Sequence, residues 1–290
     1  MKYKLHQFFF NELDGRVLGI LRIIFFLTVI VVFGGMPLKN LCLLPSGLKT
    51  HVTIFNVFND FFLNPGIMDY LLITWKVSLV FCVIGLLSVL FIPIAFVCTG
   101  ILFSLHNAYS CGFHGANLFF LGMGILMLSP AGKYISIDNF IAKKHNVYIP
   151  SKTPVWPVRL IQINFVLMFF SGAVSKFLNL GLGYVTGDEF YSVILIKKTW
   201  GGSLPYLFEY LLDHPLLARF CGAYAFIIEL FCPLSFLNVK IMKLIIVSLG
   251  VMQLLIYFNM GISSFNAMPA IYAFWFNWEK VIGWYEKNKI

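Results

Sequence analysis

The chain has 290 residues, of which 60% are hydrophobic, 18% are aromatic and only 11% are charged, and its net charge is +9. A soluble domain carries about 25% charged residues, so this composition excludes a water-soluble fold and predicts an all-α, polytopic integral membrane protein whose partner is the lipid bilayer. The basic residues lie in short loops beside apolar segments rather than along one face. They indicate membrane topology rather than a nucleic-acid partner.

Apolar runs long enough to cross about 30 Å of hydrocarbon recur along the chain. The first follows a charged stretch without a small-residue cleavage site, so we expect a retained span rather than a signal peptide. The run from 71 to 105 is too long for one span, and we expect a break between Ser88 and Pro93, because proline can end or kink a helix. The predicted spans are 17–36, 70–88, 91–108, 115–130, 157–179, 220–238, 241–261 and 266–282.

The distribution of the 21 lysines and arginines predicts the orientation of these spans. With the N-terminus inside, most of these residues fall in inner loops, as the positive-inside rule requires. About eight spans, an even number, then place both termini in the cytoplasm. Since no repeat, low-complexity stretch or linker divides residues 1–290, we expect a single transmembrane domain. Between 180 and 219 we expect a short amphipathic helix in the outer interface.

Ionisable residues inside the spans are functional candidates because the bilayer makes them costly. Lys176 lies near the outer end of the fifth span, where its amine either reaches the headgroups or is enclosed in a dry pocket and acts as a base. Arg22 and Glu229 are expected to form a structural ion pair, with a proton relay as the alternative. His114 opens the fourth span, either as an interfacial polar residue or as a catalytic imidazole.

Amide side chains in the last spans are further candidates. Gln253 and Asn259 need partners in lipid, so they either form hydrogen bonds across helices or line a cavity. The cysteines show no spacing typical of a zinc or haem site, so we expect no metal. The chain also lacks the common nucleotide-binding and nucleophile motifs of soluble enzymes.

Several short segments, taken in order and with their spacing, match a known family of membrane proteins: 112–114, 134–138, 154–156, 160–162, 171–177 and 183–187. They resemble the horizontally transferred transmembrane (HTTM) family, whose best-known relative is the vitamin K-dependent γ-carboxylase. Weaker similarity includes Arg22 and continues through Glu229 to Met268, so the resemblance covers most of the chain. Short bacterial members of this family are similar to the sporulation-delaying protein B family.

The resemblance implies a helical membrane domain in which a lysine deprotonates a reduced quinone. Lys176 falls on the lysine position, and His114 matches an active-site histidine. A second histidine of the family corresponds here to Gln253, and glutamine cannot replace a titrating imidazole. The residues expected to line the cavity or contact substrate are Gln253, Trp156, Gln162 and Asn259.

These observations leave hypotheses of different classes open. The first is an HTTM-type enzyme or maturation factor in the bacterial cytoplasmic (inner) membrane, which uses Lys176 and His114 in an outward-facing cavity. A reduced quinone would be its cofactor, and a secreted peptide or another membrane or secreted protein its partner. The second is a non-catalytic membrane subunit that binds a protein partner or lipid. A small-solute transporter is the third, but the sequence shows no repeated pair of broken helices, which is typical of such transporters.

Overall fold

The computed structural model describes residues 2–45, 48, 59–109, 114–181, 183–186, 191–192, 195, 205–260 and 268–288. These residues form α-helices, short 3-10 helices at Leu38–Leu43, Pro130–Lys133 and Cys232–Phe236, and an antiparallel pair of strands, β1 (Glu12–Asp14) and β2 (Lys152–Pro154). The predicted all-α class is confirmed. The helices are α1 (Lys2–Phe10), α2 (Gly15–Phe33), α3 (Asn59–Phe62), α4 (Pro65–Ile84), α5 (Ser88–Tyr109), α6 (His114–Leu128), α7 (Ile137–Lys144), α8 (Trp156–Leu180), α9 (Gly183–Thr186), α10 (Pro205–Asp213), α11 (Pro215–Phe231), α12 (Val239–Met260), α13 (Met268–Ala273) and α14 (Trp278–Lys287).

Among the described residues, six helical segments are long and apolar enough to cross a membrane. The shortest have 19 residues, and at 1.5 Å per residue they extend about 28 Å, close to the thickness of the hydrocarbon layer. Each of the six overlaps a predicted span, and their length and composition are those of an integral membrane protein. The six segments are Gly15–Phe33, Pro65–Ile84, Ser88–Tyr109, Trp156–Leu180, Pro215–Phe236 and Val239–Tyr257.

Two predicted spans have a different form in the structure. The span at 115–130 corresponds to α6, which has only 15 residues and extends about 22 Å. The span at 266–282 is divided into the six-residue α13 and the ten-residue α14. The division lies before Asn277, whose side-chain oxygen accepts a hydrogen bond from the backbone N–H of Lys280 and so begins a new helix.

The break inside the long apolar run lies at Gly85, just before the region from Ser88 to Pro93 in which it was expected. Gly85 ends α4 with a φ of +69°, a left-handed conformation that glycine adopts without steric cost. The carboxylate of Asp138 then accepts hydrogen bonds from the backbone N–H groups of Leu87 and Ser88, both at 2.8 Å, and begins α5. Pro93 lies inside α5, so a capping carboxylate 50 residues away determines the start of this helix.

Two compact units make up the chain. Unit 1 comprises Met1–Asn164 and Pro269–Ile290, and unit 2 comprises Phe165–Met268. The expected single transmembrane domain, residues 1–290, therefore stays a prediction. In unit 2, the hydroxyl of Tyr224 on α11 donates a hydrogen bond to the backbone oxygen of Ser248 on α12.

Aromatic rings fill the centre of unit 1. Phe25 and Phe33 on α2 both contact Phe119 on α6, with ring centroids 5.5 and 5.3 Å apart. The ring of Phe33 also packs against Phe103 on α5, at 4.8 Å. Tilted and edge-on aromatic pairs of this kind stabilise a core beyond the area that they bury. The phenylalanine-rich first span therefore holds three helices of unit 1 together.

The start of α2 and the C-terminal helix α14 lie at the same end of unit 1. The guanidinium of Arg16 is 2.6 Å from the carboxylate of Glu286, and the backbone N–H of Asp14 donates to Glu279 at 3.1 Å. The strand pair brings Lys152, just before α8, to this end as well. The start of α2, the residues just before α8 and the helix α14 therefore all lie at this end of unit 1.

Candidate functional site

Lys176 and Glu229 form an ion pair inside unit 2. Lys176 lies on α8 and Glu229 on α11, and the Nζ atom of the lysine is 2.6 Å from Oε2 of the glutamate. Their side chains are 27% and 9% exposed, respectively. Both residues belong to segments long and apolar enough to cross a membrane. The pair is therefore largely removed from water, and each charge neutralises the other.

Tyr184 covers the lysine side of this pair. Its ring centroid is 5.1 Å from the Nζ atom of Lys176, within the range of a cation–π contact. The ring of Phe226 on α11 lies 6.5 Å from that of Tyr184. Burial raises the pKa of Tyr184 above its ordinary value, although the ammonium of Lys176 opposes this shift. The phenol is therefore protonated at neutral pH and can donate a hydrogen bond.

Gly172 on α8 also lies beside the carboxylate of Glu229. A Cβ atom added to Gly172 would be 3.7 Å from Oε2 of Glu229, which is ordinary van der Waals contact, so the site does not require glycine here. The face of α8 that carries Gly172 and Lys176 therefore lies close to Glu229.

The partner of Lys176 changes what its amine can do. Because the amine of Lys176 contacts the carboxylate of Glu229, it is not free to act alone as a base. A proton can instead be exchanged between the two residues without changing the net charge of the pair. A change in net charge would be costly in a low-dielectric environment. The arrangement can therefore bind an acidic group of a ligand and take up its proton.

Arg22 and Glu229, which the sequence predicts to pair with each other, each have other partners, and the expected ion pair is corrected accordingly. Glu229 pairs with Lys176. The side chain of Arg22 is completely buried in unit 1, where four carbonyl groups accept hydrogen bonds from its guanidinium. The accepting oxygens are those of Ala131 at 3.0 Å, Tyr134 at 3.3 Å, Ile135 at 2.7 Å and Val83 at 3.4 Å. Three of these oxygens belong to the segment 131–135 and one to α4, so backbone carbonyls rather than a carboxylate surround the guanidinium. Its Nε atom has no hydrogen-bond partner in the described part of the chain.

Two predicted cavity residues lie at the start of α8. Trp156 is the first residue of α8 and is partly buried. The amide nitrogen of Gln162 donates to the backbone oxygen of Phe274 at 2.7 Å, and its amide oxygen accepts from Arg159 at 2.9 Å. Gln162 thus holds α8 to the turn after α13, and its role in a cavity stays a prediction.

The other predicted site residues are less completely described. Gln253 is buried on α12, in unit 2. His114 begins α6 and Asn259 lies near the end of α12, but the side chains of both are outside the described part of the structure. Their roles therefore stay predictions. Within the described ranges, no group of three or more His, Cys, Asp or Glu side chains could hold a metal ion.

Tyr184 is a site residue that the sequence analysis did not name, although it gave the segment that contains it. It belongs to the segment 183–187 that resembles the HTTM family, and it follows Lys176 by eight residues. That spacing alone did not indicate contact, because α8 ends at Leu180 and a separate helix, α9, places the tyrosine.

No family model, curated protein or solved structure matches this chain. The resemblance to the HTTM family therefore stays a prediction from the residues that carry it. The geometry of the Lys176–Glu229 pair stands independently of that resemblance.

Proposed function

We propose that this chain is an HTTM-like integral membrane protein in which Lys176 and Glu229 act together as an acid–base pair. The observation that carries the proposal is the 2.6 Å contact between these two side chains, which are largely buried within long apolar helices. An ionised pair in such a position is costly unless both charges are satisfied, and it marks a functional site in membrane proteins.

The chemistry follows from the charges of the pair. Glu229 would accept a proton from a ligand hydroxyl held beside it, and the ammonium of Lys176 would hold the oxygen that gives up this proton. Tyr184, which contacts Lys176, would donate a hydrogen bond to the same oxygen. The total charge is conserved at each step, so a low-dielectric site does not oppose the reaction. The structure thus favours Lys176 as the group that binds the anion and Glu229 as the proton acceptor.

The resemblance suggests the ligand and its use. A reduced quinone carries a hydroxyl of the required kind and dissolves in lipid, so we propose it as the cofactor. The partner is a secreted peptide, or another membrane or secreted protein, that is matured at the outer face of a bacterial cytoplasmic membrane. His114, Trp156, Gln253 and Asn259 are the further residues proposed for this cavity.

The proposed topology has eight membrane crossings, with both termini in the cytoplasm. Two crossings beyond the six long segments are assigned to α6 and to the segment 266–282. The contact of Arg16 with Glu286 supports an even number, because it joins the start of the first span to the last helix. The basic residues Lys133, Lys143 and Lys144 lie in the segment between α6 and α8 and favour a cytoplasmic location for it.

The experiment compares Lys176→Ala with Lys76→Ala in purified protein reconstituted with a reduced quinone. Lys76 is a matched control, since it is also a lysine within a long apolar helix, α4, and is exposed. We expect Lys176→Ala and Glu229→Gln to abolish retention of the quinone, and Lys76→Ala to retain it. Retention at the wild-type level in Lys176→Ala would contradict the proposal.

A non-catalytic membrane subunit is the alternative, and the ion pair offers it specific support. A lysine already neutralised by a carboxylate is also what a purely structural contact between helices requires. Gln253, in place of a histidine, is consistent with this function. If the chain purifies in a stoichiometric complex that Lys176→Ala and Glu229→Gln leave intact, and if no quinone is retained, the alternative is favoured.

A further inference from the structure

A cavity of about 560 Å³ lies in unit 1, and none of its lining residues belongs to unit 2. Its volume is within the range of about 300–1,000 Å³ that is typical of small-molecule sites. The first turn of α5, the end of α6, the 3-10 helix Pro130–Lys133 and α7 surround it. The lining residues are Leu87, Ser88, Val89, Leu90, Ile92, Met127, Ser129, Pro130, Gly132, Lys133, Asp138 and Ala142.

An unsatisfied hydroxyl lines this cavity. Ser88 is only 3% exposed, and its Oγ atom is buried without a hydrogen-bond partner in the described part of the chain. Leaving such a group unpaired costs free energy, so buried hydroxyls normally have a partner. The Oγ atom packs beside Gly132, and rotation of the Ser88 side chain toward the cavity would let a ligand oxygen provide that partner.

The charge at the mouth of the cavity is positive. Lys133 is exposed at its edge, and Lys143 and Lys144 follow in the last turn of α7. Asp138 also lines the cavity, and its carboxylate accepts hydrogen bonds from the backbone N–H groups of Leu87 and Ser88, as described above. The three lysines outnumber this single carboxylate, so the rim attracts an anionic ligand.

Apolar side chains continue from the cavity to the outer surface of the helices. Val89 and Leu90, in the first turn of α5, are 92% and 54% exposed, and Phe140 on α7 is also exposed. α5 is long and apolar enough to cross a membrane, so its first turn lies at the boundary between headgroups and hydrocarbon. Below this turn, Ile92 and Met127 provide an apolar wall.

We propose that this cavity binds one anionic phospholipid of the surrounding bilayer. The phosphate is held by the ammonium of Lys133 and the hydroxyl of Ser88, and an acyl chain lies against Ile92 and Met127. Within the cavity lining, the polar groups of Lys133 and Ser88 are followed by the apolar side chains of Ile92 and Met127, which is the order of headgroup and acyl chain in a lipid molecule. Lysines beside membrane helices attract anionic lipids in this way.

The test measures phospholipid retained by the full-length protein after reconstitution in vesicles that contain phosphatidylglycerol and phosphatidylcholine in equal amounts. Native mass spectrometry of the purified protein counts the bound molecules. We expect one phosphatidylglycerol per chain in the wild type. Lys133→Gln should lower its retention by at least about fivefold, the factor expected for one lysine at an anionic surface.

Lys240→Gln is the matched control, because Lys240 is also exposed at the start of a long apolar helix, α12, but does not line the cavity. It should retain lipid as the wild type does. Ala142→Trp fills the cavity without changing charge and should also abolish retention, while circular dichroism checks its helical content. Equal retention of the two phospholipids, or unchanged retention in Lys133→Gln, would overturn the proposal.

Discussion

The Nζ atom of Lys176 lies 2.6 Å from Oε2 of Glu229, although the two residues are 53 positions apart in the chain. The contact joins α8 to α11 across the short helices that connect them. Because both side chains are largely removed from water, the pair stabilises the packing of these helices only while both members are present. Because each member needs the other, variants that lack one or both side chains can measure the interaction energy of the pair.

Glu229→Gln should destabilise the protein by about 2–3 kcal/mol, because it leaves the ammonium of Lys176 without a counter-charge in a largely buried position. The double variant Lys176→Met/Glu229→Gln removes that charge and should recover most of the loss. Thermal unfolding of the single and double variants in detergent measures the coupling. Strictly additive losses would show that the two side chains do not interact.

Arg22→Met should cost about 3 kcal/mol of stability, because the carbonyl oxygens of the loop 131–135 lose a buried donor. Arg16→Met is the control. The side chain of Arg16 is 45% exposed and pairs at the surface, so its loss should cost about 1 kcal/mol or less. Similar melting temperatures for the two variants would contradict the structural role of Arg22.

Asp14 should make the stability of the protein depend on pH in the acidic range. Hydrogen bonds from the Arg16 side chain hold the pKa of Asp14 below its ordinary value, against the effect of burial. The pKa of an aspartate in the unfolded chain is about 4. Because the pKa of Asp14 is lower in the folded protein, its ionised carboxylate stabilises the fold above about pH 4, and this contribution is lost as the pH falls through the pKa of the folded state. Asp14→Asn keeps the side-chain oxygen that accepts a hydrogen bond from the backbone N–H of Arg16 at the start of α2, but it removes the charge. The melting temperature of this variant should therefore fall less than that of the wild type between pH 5 and pH 2.5. Parallel curves would contradict the prediction.

The position of the chain termini can be tested by reporter fusions. Because Arg16 contacts Glu286, fusions at the N-terminus and at the C-terminus should report the same side of the membrane, and we expect the cytoplasmic side. A fusion in the segment 44–58, between α2 and α4, should report the opposite side. Opposite results for the two termini would exclude an even number of crossings.

The long apolar helices could be predicted from the sequence because about 20 apolar residues in a row leave few alternatives. α6 and the segment 266–282 were harder, since their lengths depend on local capping, as at Asn277, rather than on hydropathy. The start of α5 was missed for the same reason, because its capping carboxylate, Asp138, lies far along the chain.

The candidate site could be predicted only in part. The cost of charge in a bilayer singled out Lys176, Glu229 and Arg22, and the structure shows that each of them is buried or partly buried with a partner. Their partners could not be predicted, since they depend on which helices meet. The acceptors of Arg22 are backbone oxygens, and because every residue type has one, the sequence does not show which residues will bind it. Tyr184 likewise depends on the turn between α8 and α9.

Infrared difference spectroscopy of the reconstituted protein tests most directly whether the Lys176–Glu229 pair accepts a proton from its ligand. When a reduced quinone is added, a stretching band of a protonated carboxyl group should appear in the wild type. The band should be missing in Glu229→Gln and retained in Lys76→Ala. If quinone binds and no such band appears, or if the band persists in Glu229→Gln, Glu229 is not the proton acceptor and the proposed mechanism is wrong.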